Sequence, residues 1–224
     1  MIFNANASGA LHHNTFGGTV VLAAGVTFVG AATSTTANTG VWTLNSASSH
    51  IGAIGDPTFF VNQINLNANA SSTGAIASEN IVVGANTLTQ VGAVTLPANA
   101  AMTVRALSDT AYGRINAPGA AINFTTGLQV NMLVDSGVIL SGVPLQVVTG
   151  TSGIFGPGSA PITVTSNNPG FTFTGLNTAG TGNVLIFPTA VPPVPINSRA
   201  MLLLLAMLLG LSGVLAVSRR SRQP

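Results

Sequence analysis

The sequence has no cysteine and no lysine, and only 4% of its 224 residues are charged, against about 25% in an ordinary soluble domain. Without cysteine there is no disulfide framework, no thiol nucleophile and no thiolate metal site. Without lysine there is no P-loop lysine and no Schiff base. Aromatic residues are 5%, with one Trp and one Tyr, few for stacking on sugars. Basic charge is scarce where nucleic acid would need it. Six arginines carry all of it, and four of them (Arg199, Arg219, Arg220, Arg222) crowd the C-terminus. The rest of the chain sets Arg105 and Arg114 against Asp56, Glu79, Asp109 and Asp135. Nucleic-acid binding asks for several basic side chains converging on phosphates. That partner class is excluded.

What the chain does have is 46% hydrophobic residues, 26 glycines and a polar remainder of Asn, Thr and Ser. Up to residue 187 these form short β-prone runs separated by turn residues. Examples are Thr19-Val20-Val21-Leu22, Val41-Trp42-Thr43-Leu44, Phe59-Phe60-Val61, Met102-Thr103-Val104, Leu145-Gln146-Val147-Val148, Phe171-Thr172-Phe173 and Val184-Leu185-Ile186-Phe187. Most are four or five residues of β-branched or aromatic character bounded by Gly, Asn, Ser or Ala. No stretch before residue 200 shows apolar residues at helical spacing with caps. The body is therefore expected to be all-β.

Two architectures suit many short strands. A β-sandwich covers its outer face with Lys, Glu and Arg, which are nearly missing here. A right-handed parallel β-solenoid (β-helix) does without them, because Asn, Thr and Ser stack into hydrogen-bonded ladders and Gly and Ala fit tight corners. The solenoid is the expected fold of residues 1–187, with the sandwich as the alternative. At about 20–25 residues per turn the body holds roughly eight rungs. Two internal echoes agree with a repeat: Asn4-Ala5-Asn6-Ala7-Ser8 with Asn67-Ala68-Asn69-Ala70-Ser71, and Val83-Gly84-Ala85 with Val91-Gly92-Ala93.

The texture changes after Phe187. Residues 188–199 form a Pro-rich linker, punctuated by Pro188, Pro192, Pro193 and Pro195, in which neither helix nor central strand is expected. Residues 200–217 read AMLLLLAMLLGLSGVLAV, with no charge and Leu on every face. As a helix this stretch reaches roughly 27 Å, about the thickness of a thin bilayer core. It is expected to be one transmembrane helix. Residues 218–224 make a basic tail whose Arg219, Arg220 and Arg222 outnumber Arg199 before the span. The positive-inside rule then keeps the C-terminus in the cytoplasm, with these arginines as the stop-transfer signal.

A Pro-containing motif, a Leu-rich span and a terminal Arg cluster together resemble the IPTL-type C-terminal sorting signals of Gram-negative bacteria, which read Ile-Pro-Thr-Leu-Ser-Glu-Trp before the span. Here Val194-Pro195-Ile196-Asn197-Ser198 matches at Pro195 and Ser198 and conservatively at Val194; it departs at Ile196, Asn197, Arg199 and Ala200. The resemblance covers residues 191–222. It implies an exosortase-like processing protease as partner, an inner-membrane intermediate, cleavage near Pro195 and transfer to the cell surface. A second segment, Tyr112 to Phe124 followed by Leu128 to Leu133 and Ser141 to Gly150, resembles the end of an autotransporter passenger, which implies a β-helix. No outer-membrane barrel follows it, and the sorting tail takes that place. At the other end, Met1 to Thr15 carries no Lys or Arg, so a signal peptide's positive n-region is missing. For a surface protein this points to an N-terminally truncated start with an uncapped first rung.

Catalytic chemistry is thinly represented. His12 and His13 are adjacent, so on a strand they point to opposite faces and chelate poorly; with His50 they read as solvated turn residues. Asp56, Glu79, Asp109 and Asp135 sit near turns or strand ends, where acids bond to backbone. Folding onto adjacent rungs would be needed to bring Asp109, Arg105 and Arg114 into one constellation. Gly180-Thr181-Gly182-Asn183 starts like a dinucleotide loop but lacks the third glycine and a following helix. No cofactor or metal is expected, and no catalysis. The expected role is a cell-surface structural or adhesin-like protein, with extracellular polysaccharide or a host surface as outward partner. The alternative is a carbohydrate-binding or carbohydrate-cleaving β-helix of the envelope.

Overall fold

A computed structural model describes residues 1–14, 17–98, 100–124, 127–155, 162–178 and 181–191, with 152–155 given by their backbone alone. The expected span (200–217) and basic tail lie outside these residues, as does the sorting motif Val194, Pro195, Ile196, Asn197 and Ser198. One compact unit comprises Met1–Val191. Its described residues are all-β, built of stacked parallel strands consistent with a β-solenoid. Neighbouring strands come from successive turns of the chain, unlike the antiparallel neighbours of a sandwich.

Each turn contributes to three faces. The first face stacks Ile2–Phe3, Thr19–Leu22, Thr39–Leu44, Val61–Leu66, the later part of Ile76–Gly84, Ala101–Ala106, Leu128–Val134 and Ile162–Ser166, all parallel. The second stacks Ala7–Ser8, Thr27–Val29, Ser49–Ile51, Ala70–Ser72, Thr87–Gln90 and the opening parts of Arg114–Phe124 and Leu145–Phe155. The third runs from Leu11–His13 through Ala32–Ser34, bridges at Ile54, the start of Ile76–Gly84 and Val94–Leu96 to the ends of those same two long strands. Side chains alternate in and out with the strand period of two. One inward column on the first face is Val20, Trp42, Ile64, Ile81, Met102 and Val130, all buried. Each fully buried side chain of this size contributes roughly 1.5–3 kcal/mol.

Outward columns form the neutral ladders expected from the composition. Ser71 Oγ donates to Ser49 Oγ at 3.0 Å, Asn67 Nδ2 to Asn45 Oδ1 at 3.0 Å, and Thr165 Oγ1 to Asn131 Oδ1 at 2.7 Å. Asn6 and Asn69, the matching positions of the first echo, do the same work: each accepts, at 2.8 Å, the backbone N–H of Thr27 or Thr87 in the next rung. The second echo has no such meaning. Gly84 and Gly92 stand at different corners of the same rung.

The turn length is not uniform. Register partners Val20, Trp42 and Ile64 are 22 residues apart. The step shortens to 17 at Ile81, because Ile76–Gly84 runs through the corner between third and first faces as one strand. It widens to 28 at Val130 and 34 at Val164, where residues 107–113 and 135–144 loop outward between the first and second faces.

The corner between second and third faces is made by glycine. Gly9, Gly30, Gly52, Gly74 and Gly92 stack in successive rungs, each opening a Gly-Ala step that leads into the third face. A Cβ on Gly30 would fall 1.8 Å from the carbonyl oxygen of Gly9, on Gly52 2.2 Å from that of Gly30, and on Gly74 1.8 Å from that of Gly52. Gly9, Gly30 and Gly52 also have φ near +140°, which side chains rarely tolerate. Backbone bonds lace the corner: Gly9 N to Val29 O at 2.9 Å and Gly30 N to Ile51 O at 2.7 Å.

Two expectations require correction at the C-terminal end. The last two described strands, Phe171–Thr178 and Asn183–Ala190, are an antiparallel hairpin, and Asn183–Ala190 also pairs antiparallel with the start of Leu145–Phe155. It thereby occupies an edge that a further parallel rung would otherwise use. Nor does the body end at Phe187. The strand continues through Pro188, opposite Phe173, to Ala190. Proline fits because the pairing with Leu145–Val148 is over by then, leaving one side of the strand with no ladder bond to lose.

The corner geometry predicts that Gly52→Ala, which meets backbone at a positive φ, loses about 2–4 kcal/mol. Gly119→Ala, with open space and an ordinary φ, should stay within about 1 kcal/mol of wild type. Urea midpoints followed by far-UV circular dichroism separate the two.

Candidate functional site

The polar interior lies behind the second face. Its inward register column is Ala7, Phe28, His50, Ser72 and Gln90. His50 and Ser72 have no exposed surface and Gln90 has 1%. His50 stacks on Phe28 with ring centroids 5.6 Å apart and planes 10° from parallel, and Trp42 meets its edge at 4.9 Å. Phe3 adds a tilted contact to Phe28 at 5.2 Å. From the third face His13 reaches in, its ring lying where a Cβ on Gly40 would be, and Trp42 Nε1 donates to His13 Nε2 at 3.0 Å. His13 must therefore be unprotonated at Nε2.

This revises the reading of the histidines as solvated turn residues. His12 does face outward, against Thr33 Oγ1 at 2.8 Å, and the adjacent pair does split to opposite faces. His13 and His50, however, are core residues. The signal available was position: His50 and Phe28 both stand two residues before a Gly-Ala step, and Phe28 is plainly apolar. Burial pushes the His13 imidazole below its ordinary range, and the N-terminal charge adds to the shift. Burial also lowers His50, to about 4, against a smaller opposing pull from the carbonyls of Gly30 and Gly52.

Charged side chains gather instead at the two outward loops. Arg105, at the end of the first-face strand Ala101–Ala106, forms an ion pair with Asp135, with Nε also 3.2 Å from Oδ2. The Asp109 carboxylate accepts the backbone N–H of Ser141 on both oxygens, at 3.0 and 3.1 Å. Tyr112 Oη accepts from Gln146 N at 3.2 Å. The Asp109 bonds fasten residues 107–113 to 135–144, while the Arg105 and Tyr112 contacts tie each loop to a strand of the neighbouring rung. Asp135 also lines an open groove with Val134, Ser136, Asn167, Asn168 and Pro169, where Asn167 Oδ1 accepts from Val134 N at 2.7 Å and Asn168 Nδ2 donates to Val134 O at 3.4 Å.

The grouping of Asp109 with Arg105 and Arg114 does not form. Arg105 takes Asp135, Asp109 takes Ser141, and Arg114 Nε lies 3.4 Å from Thr87 Oγ1 on the preceding rung. Glu79 is half-buried in Ile76–Gly84, and burial pushes its carboxyl up. Among the described residues no three His, Asp or Glu side chains are placed to hold a metal ion. No helix among them is long and apolar enough to cross a membrane; the stop-transfer residues Arg219, Arg220 and Arg222 are outside their range. Compared with known proteins, the chain matches no family model and no curated protein.

The buried imidazole fixes a pH dependence. Its folded pKa lies below the unfolded value of about 6.5, so the unfolded chain takes up the proton first as pH falls. Stability from neutral His50 is whole above pH 6.5 and is lost through the window from 6.5 down to about 4, in total about 3 kcal/mol; His13 acts in the same direction. Urea midpoints measured from pH 7 to pH 4 should fall, and His50→Phe should remove most of the slope. The exposed Arg105–Asp135 pair should matter far less: Arg105→Ala is expected to cost under about 1 kcal/mol.

Proposed function

We propose that the protein is a non-enzymatic, adhesin-like or structural component of the bacterial cell surface: a right-handed parallel β-solenoid delivered by a C-terminal sorting signal. The observation that carries this reading is the ladder construction. Parallel rungs are joined on the outside by neutral Ser, Thr and Asn side chains, as in Ser49–Ser71 and Asn45–Asn67. Such a stack presents the same backbone spacing rung after rung, which suits a stalk or an extended contact with polysaccharide or a host surface. The loop carboxylates support a scaffold in preference to glycan cleavage. Hydrolysis asks for two carboxyl groups free to act on one bond, and Asp109 and Asp135 are engaged in holding loops.

The tail supplies the address. Residues 192–199 link the body to a helix over 200–217 that crosses the inner membrane, and Arg219, Arg220 and Arg222 hold the C-terminus in the cytoplasm. An exosortase-like protease then cuts near Pro195, within Val194 to Ser198, and the body passes to the surface. An arginine costs roughly 2.5–3.5 kcal/mol at the membrane centre, so replacing Arg219 and Arg220 with Ser should weaken membrane retention. Pro195→Ala should leave insertion intact and block removal of the tail. The C-terminal mass of surface-released protein, compared with the membrane fraction, reads both effects. Mature protein that still carries Arg222 in the inner membrane would make the tail an ordinary anchor and end the sorting proposal.

A further inference from the structure

Gln90 shows what the inward position beside the glycine corner asks for. Its Nε2 donates to the carbonyl of Gly92 in its own rung at 2.9 Å and to that of Gly74 in the rung before at 2.5 Å. The corner carbonyls thus point into the core and accept there. One rung earlier, Ser72 holds the same register position, two residues before Gly74 as Gln90 is before Gly92. Its side chain is about two bonds shorter than glutamine's, so it stops short of where Gln90 carries its amide. Ser72 Oγ is buried and has no protein partner. On the rung before that, His50 lies by the carbonyls of Gly30 and Gly52, with both ring nitrogens lacking a properly aligned partner.

We propose that the core holds an ordered water at the level of Ser72, in the place the Gln90 amide fills one rung on. The water accepts from Ser72 Oγ and donates to the carbonyls of Gly52 and Gly74. Three partners are the usual complement of a buried water, and a site lined by converging polar atoms fills where an apolar void stays dry. The water makes good the missing length of serine, so that the corner carbonyls are bridged at this rung as they are at the next. It also gives the hydroxyl the partner that buried polar groups almost always have.

A high-resolution crystal structure of the full-length protein reads the water directly. Density is expected within hydrogen-bonding distance of Ser72 Oγ, Gly52 O and Gly74 O; an empty position there, or one filled by a neighbouring side chain, overturns the proposal. Two variants test it by melting temperature. Ser72→Gln should expel the water, carry its own amide between the two carbonyls and melt at or above wild type. Ser72→Ala keeps the space but removes one partner, and should melt roughly 2–6 °C lower. A Ser72→Ala protein that melts higher than wild type shows the hydroxyl to be an unpaired burden in a dry core, and the proposal fails.

Discussion

The close approach of backbone to backbone at the corner between the second and third faces governs the rest of the fold. From Gly9 to Gly92 each rung rests on the carbonyl of the one before, leaving no room for a Cβ at Gly30, Gly52 or Gly74. With the corner fixed, the strands on either side have little freedom of register, since a slip of one residue would turn every inward side chain outward. Val20, Trp42, Ile64 and Ile81 align in the rungs whose corners are Gly30, Gly52, Gly74 and Gly92. The same register brings Asn67 over Asn45 and Ser71 over Ser49.

That constraint has an electrostatic consequence. At the corner the carbonyls of Gly74 and Gly92 are turned toward the interior, and an inward column must then meet acceptors as well as apolar neighbours. Gln90 meets them directly. His50 meets them only in part, and remains neutral in the company of Phe28 and Trp42. The early rungs thus carry a core in which aromatic packing and polar groups are interleaved, whereas Met102, Val130, Ile122, Val148 and Phe124 make the later core apolar. Titration acts on the former and passes over the latter.

Where the chain departs from the regular turn, it spends its few charges. The longer rungs expel residues 107–113 and 135–144; the Asp109–Ser141 bonds join the two loops, and the Arg105–Asp135 pair holds the second to the end of Ala101–Ala106. Exposed pairs of this kind stabilise little; their effect is on position. At the end of the stack the antiparallel hairpin reverses strand direction on the second face, so a further parallel turn cannot simply continue there.

Composition and short-range pattern determined the class: strands with strong β character, such as Thr19–Leu22 and Val94–Leu96, were legible residue by residue, and the scarcity of charge argued for neutral ladders. Phe59 and Phe60 were misread because their β propensity exceeds that of the true strand, Val61–Leu66, whose Asn and Gln face outward. Ser49–Ile51, Ala70–Ser72 and Thr87–Gln90 were not legible, since three or four residues with a single apolar one among them have no strand signal of their own. They are strands because the rungs on either side offer backbone partners. The recurrence of Gly-Ala was the one local sign of where they had to be. Which histidine is buried, which arginine finds which aspartate, and which hydroxyl is left facing a carbonyl depend on residues about 20 to 30 positions apart in sequence meeting across one strand spacing, and only the stacked structure decides that.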